Sequence, residues 1–120
     1  MKVKLRKTFK FDAAHWIAHL KGVHKCGNMH GHTFRVEILV GGEVDIEKGW
    51  LVDFGEIKAI VSPIIDMLDH TELNRIPGLE QPTAENICCW LWEQIKPRLP
   101  LLCEIVVWET DTSACIYRGE

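Results

Sequence analysis

The sequence predicts an α+β fold: an antiparallel four-stranded sheet with two helices on one face, in the order β-β-α-α-β-β. Three observations carry that expectation. Near both ends of the chain apolar residues recur at every second position, the period of a half-buried strand. In the middle they recur at helical spacing. The strands come as sequence-adjacent pairs on either side of the helices, which favours antiparallel pairing with the helices segregated to one face. With 120 residues, 47% of them hydrophobic and 26% charged, the chain can build one core and is too apolar for disorder, so it fits a single domain over residues 1–120.

Residues 2–12 (KVKLRKTFKFD) alternate basic and apolar side chains, with Val3, Leu5, Phe9 and Phe11 on one face. Residues 13–31 scatter Gly and His and predict a surface excursion. Residues 32–40 (HTFRVEILV) form the second strand, with Phe34, Val36, Ile38 and Val40 sharing a face, and Gly41-Gly42 ends it. Glu47-Lys48-Gly49 reads as a turn. Asp53 starts a helix, with Glu56 three residues on as a variant capping box. Ile57, Ile60, Val61, Ile64, Ile65 and Leu68 give its period, and Pro63 inside it predicts a kink or a split. Residues 71–82 form a loop. Thr83 caps a second helix whose buried side is Ile87, Trp90, Leu91 and Ile95, and Pro97 ends it. Strands over 102–109 and 113–118 complete the chain. A single sheet of this kind has two open edges, a liability unless another copy covers them, and this predicts a homo-oligomer.

Composition excludes several functions. A formal net charge of -3 with no block of like charges gives no basic stripe for nucleic acid, and a small anionic substrate remains compatible. No apolar run approaches the roughly 18 residues of a membrane span, and no apolar h-region opens the chain, so neither membrane nor secretion is expected. The five cysteines, Cys26, Cys88, Cys89, Cys103 and Cys115, are odd in number and two are adjacent. They read as reduced thiols, which points to the cytoplasm.

The sharpest local feature is His30-Gly31-His32. In extended backbone, residues two apart point the same way, so both imidazoles can reach one ion. His15 follows the first strand and lies at the same end of a hairpin formed with the second, as a neighbour of His32 across the ladder. A lone loop histidine is ordinarily a surface residue. Three histidines converging from two paired strands are a metal set. They leave a fourth position open, the pattern of a catalytic rather than structural zinc. His19 and His24 in the same loop read as surface or supporting residues.

Cys26, four residues before His30, has three readings from spacing: a fourth ligand that closes the site, a base or nucleophile beside the metal with Lys25 favouring the thiolate, or a half-buried loop thiol. Asp69-His70 ends the first helix. It is either a terminal His interacting with the helix dipole or a carboxylate orienting an imidazole for proton transfer. Glu109 ends the apolar strand Ile105-Val106-Val107-Trp108. It is either exposed at the strand end or the acceptor of two hydrogen bonds from an amidine-like N–H pair, such as the 2-amino-pyrimidinone edge of a pterin or guanine.

Together the segments FDAAH (11–15), CGNMHGH (26–32), VDF (52–54), LDHTELN (68–74), PTAEN (82–86) and WET (108–110) resemble the 6-pyruvoyl-tetrahydropterin and 6-carboxy-tetrahydropterin synthase family. They run in family order across nearly the whole chain. The C-terminal CIYRGE and the short loops are most similar to the bacterial 6-carboxy-tetrahydropterin synthases of queuosine precursor synthesis. The resemblance implies that His15, His30 and His32 hold Zn2+, that Cys26 is a catalytic thiol, that Asp69 and His70 form its relay, and that Glu109 anchors a pterin. It places Thr83 and Glu85 in the pterin pocket. Charge and proximity alone make Lys21 and Lys25 candidates for the phosphate tail, against the reading of both as ordinary solvated loop lysines. The substrate implied is 7,8-dihydroneopterin triphosphate, and the assembly a hexamer of two trimers in the tunnelling fold, whose sheets join into a barrel. The pyruvoyl branch of the family uses the same site without carbon–carbon cleavage. A reading of another class is a non-catalytic metal-binding module with Cys26 as fourth ligand.

Overall fold

The computed structural model describes residues 1–120. Two 14-residue strands, β1 (Lys2–His15) and β2 (His30–Glu43), pair antiparallel from Lys2↔Glu43 at one end to His15↔His30 at the other. Helix α1 (Phe54–Asp66) follows, then a two-residue strand β3 (Thr71–Glu72), helix α2 (Ala84–Ile95), and strands β4 (Leu102–Thr110) and β5 (Ser113–Tyr117). The sheet order is β3-β1-β2-β4-β5. The sheet therefore has five strands, not four. The extra strand lies in the segment expected to be a loop and pairs parallel to β1 through Ala13↔Thr71 and Ala14↔Glu72. Two residues are too few to leave a periodic signal in the sequence.

One face of the sheet and the inner sides of both helices share a core. Phe11, Phe34, Val36, Ile38, Val40, Ile105 and Val107 come from the sheet, with Ile57, Val61 and Ile64 of α1 and Ile87, Leu91 and Ile95 of α2 packed on them. The other face carries Lys2, Lys4, Arg6, Lys10, Arg35 and Trp108 and has no helix over it. Both edges stay largely open: β3 covers only the end of β1, and nothing pairs with the outer side of β5.

Several boundaries differ from expectation. β1 runs on to His15 and β2 begins at His30, so two of the three histidines of interest lie within the ladder rather than in the loop. The loop between the strands shortens to residues 16–29, with single 3-10 turns at Ala18–Leu20 and Lys25–Gly27. Gly41-Gly42 does not end β2. The strand passes through both glycines to Glu43, and their lack of a side chain suits a crowded site: a Cβ on Gly42 would lie 3.0 Å from Leu51 Cδ1. Asp53 is the N-cap of α1 but makes no side-chain cap; its carbonyl alone accepts from Glu56 N at 3.0 Å. Pro63 lies inside α1 without splitting it. Thr83 does cap α2, its hydroxyl oxygen accepting from Asn86 N at 3.2 Å. No helix is long and apolar enough to cross a membrane.

Candidate active site

The loop end of the β1–β2 hairpin gathers the three histidines. His15 pairs directly with His30 across the ladder, and His32 lies diagonally, opposite Ala13. All three project to the core side, continuing the stripe of Phe11 and Phe34. Their ring centroids are 4.6 Å (His15–His30), 5.1 Å (His15–His32) and 4.9 Å (His30–His32) apart. Glu109 reaches the same point from the end of β4, because β4 pairs with β2 and its core-facing stripe Ile105, Val107 leads to residue 109. One donor atom from each of His15, His30, His32 and Glu109 lies within 4.8 Å of all the others.

Backbone carbonyls orient two of the rings. The Nδ1 of buried His15 donates to the Pro82 carbonyl at 2.7 Å, and that of His30 to the Asn28 carbonyl at 2.7 Å. A neutral ring that donates from Nδ1 presents a lone pair on Nε2. The Nε2 atoms of His15 and His32 are buried and have no hydrogen-bond partner. Glu109 Oε1 is 3.3 Å from His32 Nε2 and 4.0 Å from His15 Nε2. Burial pushes the His32 imidazole below its ordinary pKa, the Glu109 carboxylate opposes that shift, and His15 and His30 reinforce it. Two buried Nε2 atoms without partners thus converge on a carboxylate, and a cation between them would satisfy all three groups. Three imidazoles and one carboxylate are donors of the kind zinc takes, with carbonyls behind two of the rings fixing their tautomer. The residues present fit a metal ion.

Cys26 sits on the turn Lys25–Gly27, which packs so closely on the preceding turn that a Cβ on Gly27 would lie 2.4 Å from Leu20 backbone atoms. Its amide donates to His24 Nδ1 at 3.1 Å. With Lys25, His30 and His32 it lines a cavity of about 290 Å³. It does not belong to the group of mutually close donors, where Glu109 stands instead. Lys21 lies over the Trp16 ring, 5.9 Å from its centroid. His19 is exposed.

Asp69 and His70 are in contact, Oδ2 to Nδ1 at 2.9 Å. Asp12 clamps both: its amide donates to Asp69 Oδ1 at 2.9 Å, and its carbonyl accepts from His70 N at 2.6 Å. His70 holds a left-handed backbone, φ 57°, uncommon outside glycine. The amide of Asp12 and then the His70 contact hold the Asp69 carboxyl below its usual range, and Asp69 raises the pKa of His70. Asp12, His32, Thr33 and His70 line a hollow of about 540 Å³ at the end of the β1–β2 ladder. Within one chain, Cys26 and His70 therefore line separate hollows that adjoin at His32.

Glu85 and Glu109 line a third hollow of about 460 Å³ with Thr110, Ser113 and Cys115. Thr83, expected beside them, spends its hydroxyl on the helix cap. Sequence reasoning missed the supports. Asn74 Oδ1 accepts from Trp16 N at 3.0 Å, and its Nδ2 donates to Trp16 O at 2.8 Å and Glu80 O at 3.4 Å. The Pro82 and Asn28 carbonyls carry no side-chain signature at all.

Fold and site together define a small α+β protein whose paired strands preform a three-histidine, one-carboxylate donor set beside a cysteine-lined cavity. Residues 4–120 match the family described as 6-pyruvoyl tetrahydropterin synthase, and the chain belongs to that family. It is 39% identical over 100 residues to the dihydroneopterin monophosphate aldolase of Pyrococcus furiosus, covering 83% of this chain and 81% of that one. It is 38% identical over 117 residues to the 6-carboxy-5,6,7,8-tetrahydropterin synthase of Synechocystis sp., covering 92% and 89%. The solved 6-pyruvoyl tetrahydropterin synthase of Caenorhabditis elegans shares the fold with a TM-score of 0.93 over 100% of this chain and 97% of that one, at 24% identity.

Proposed function

We propose that this chain is a zinc-dependent, cytoplasmic 6-carboxy-5,6,7,8-tetrahydropterin synthase of queuosine precursor synthesis. It converts 7,8-dihydroneopterin triphosphate and water to 6-carboxy-5,6,7,8-tetrahydropterin, acetaldehyde and triphosphate. The observation that carries the reading is the pair of buried, partnerless Nε2 atoms on His15 and His32 facing Glu109, in a chain 38% identical to a synthase of that name. His15, His30 and His32 hold the zinc, which supplies Lewis-acid polarisation of the substrate side-chain hydroxyl. Cys26, as thiolate, takes the proton from the adjacent carbon. Asp69 orients His70 and raises its pKa, which suits it to a second proton transfer. Glu109 accepts from the amidine-like N–H pair of the pterin, with Glu85 beside it in the same hollow, and Lys25 at the Cys26 cavity faces the phosphates. A homo-oligomer, a hexamer of two trimers, closes the open sheet edges.

The test is incubation of the metal-loaded protein with 7,8-dihydroneopterin triphosphate and identification of products by mass spectrometry. Acetaldehyde with a 6-carboxy product supports the proposal, and a 6-pyruvoyl product overturns it in favour of the other branch. The 39% identity to the Pyrococcus furiosus enzyme gives one further reading: turnover of dihydroneopterin monophosphate in preference to the triphosphate would assign an aldolase instead.

A further inference from the structure

We infer that Glu109 serves two ligands in turn: it is the fourth donor to the metal held by His15, His30 and His32 while the pocket is empty, and it transfers to the N–H pair of an incoming pterin. The second half rests on the proposed function; the first rests on the donor geometry alone.

Tetrahedral zinc with metal–donor bonds of about 2.0–2.2 Å has donor–donor edges of about 3.3–3.6 Å. The separation of Glu109 Oε1 from His32 Nε2, 3.3 Å, is such an edge, and that from His15 Nε2, 4.0 Å, exceeds one by a few tenths of an ångström. A hydrogen bond does not account for these approaches. His15 donates through Nδ1 to the Pro82 carbonyl. Both Nε2 atoms remain without partners. A carboxylate against buried lone pairs is repulsive until a cation bridges them, and then every member of the group is satisfied.

Glu109 is also the one residue that belongs both to this donor group and to the hollow of about 460 Å³ beside it. A single oxygen, Oε1, makes both approaches to the histidines, and the side chain is 31% exposed, so it can turn toward that hollow. It cannot serve a metal and an amidine-like N–H pair fully at once, because a bidentate pair occupies both oxygens. Arrival of the heterocycle therefore withdraws one donor from the metal. Glu109 would thus complete the donor set while the pocket is empty and leave it as the ring binds. Binding of the two ligands is negatively coupled, and the coupling is reciprocal.

The experiment uses wild-type protein stripped of metal and titrated with Co2+, in the absence and presence of saturating unsubstituted pterin. That probe carries the N–H edge but no side chain to contact the metal. We expect pterin to change the visible Co2+ spectrum and to weaken Co2+ affinity at least threefold, with Co2+ weakening pterin by the same factor. In Glu109→Gln the pterin-free Co2+ affinity falls at least tenfold and the coupling disappears; Glu109→Asp retains part of both. Equal Co2+ affinity and spectrum for wild type and Glu109→Gln without pterin overturns the fourth-donor assignment. Pterin binding to wild type with no effect on Co2+ overturns the exchange while leaving the proposed function intact. A wild-type protein that binds no pterin overturns the proposed function and the exchange together. The wild-type measurements need no variant, so a misfolded substitution does not obscure the answer.

Discussion

Asn74 ties the segment carrying His15 to the strap carrying its carbonyl partner, and replacing it tests whether that tie holds the site. Its side chain satisfies both backbone groups of Trp16, one residue past His15, and reaches Glu80, two residues before Pro82. Asn74→Ala removes two well-formed hydrogen bonds and one long one. It leaves the part-buried N–H and C=O of Trp16 without partners. A net hydrogen bond contributes about 1 kcal/mol, and an orphaned buried group costs about 1–3 kcal/mol. Water reaching the half-exposed site lowers that cost, so the loss is about 2–3 kcal/mol. With a urea slope of about 1.5 kcal/mol/M, the unfolding midpoint falls by about 1.3–2 M at fixed protomer concentration. The same variant should lose Co2+ affinity, because His15 Nδ1 and the Pro82 carbonyl shift relative to each other. Asn74→Asp keeps the acceptor for Trp16 N but replaces the Nδ2 that makes both donations with an oxygen that repels the two carbonyls, so it should not restore affinity. An unchanged midpoint together with unchanged Co2+ affinity in Asn74→Ala refutes the reasoning.

His30→Ala and His32→Ala should each purify without tightly bound metal and without activity; full metal content by elemental analysis in either variant contradicts the ligand assignment. Cys26→Ala should retain metal and fold while turnover drops by roughly 100- to 10,000-fold, the contribution of a general base; metal loss in this variant favours a closed, structural site. Asp69 raises the pKa of His70, so its imidazolium persists above pH 6.5, and any stability it contributes is complete below that pH and lost as pH rises through the folded value. NMR titration should give a His70 midpoint above 6.5 in wild type and a lower one in Asp69→Asn; equal midpoints remove Asp69 as the cause.

What could be read from the sequence follows the range of the interactions. The ladder of β1 and β2 was legible because alternation is a local property, and His30-Gly31-His32 was legible because two imidazoles two residues apart in a strand must share a face. The register was not: His15 lies opposite His30, and that offset is set by where both strands extend past their apparent ends. Asp12 gave no signal, because its partners Asp69 and His70 are 57 residues and more away and it binds them through its own backbone. Gly41-Gly42 looked like a stop because glycine weakens isolated strands; inside the paired sheet the missing side chains make room for Cys103 beside Gly41 and Leu51 beside Gly42. The Asp53 box failed for a local reason, since its carbonyl, not its side chain, accepts from Glu56.

The placement of the acid–base residues bears on assembly. Glu109 and the histidines meet within one chain, at 3.3 Å for His32, so that donor group needs no second copy. Cys26 and His70 line separate hollows that share only His32. If they act on one substrate, Cys26 of one copy must work with His70 of another, brought together by closure of the open edges. Mixtures of inactive variants separate these cases. Cys26→Ala reassembled with His70→Ala should recover about a quarter of wild-type activity, the chance that a randomly mixed junction carries both intact residues. His32→Ala reassembled with Glu109→Gln should recover none, since every chain lacks one member of its own donor group. Recovery in the second mixture would show that the metal site is shared between copies. No recovery in the first would place Cys26 and His70 in one chain's site, and the sheet would then have to rearrange to bring them together.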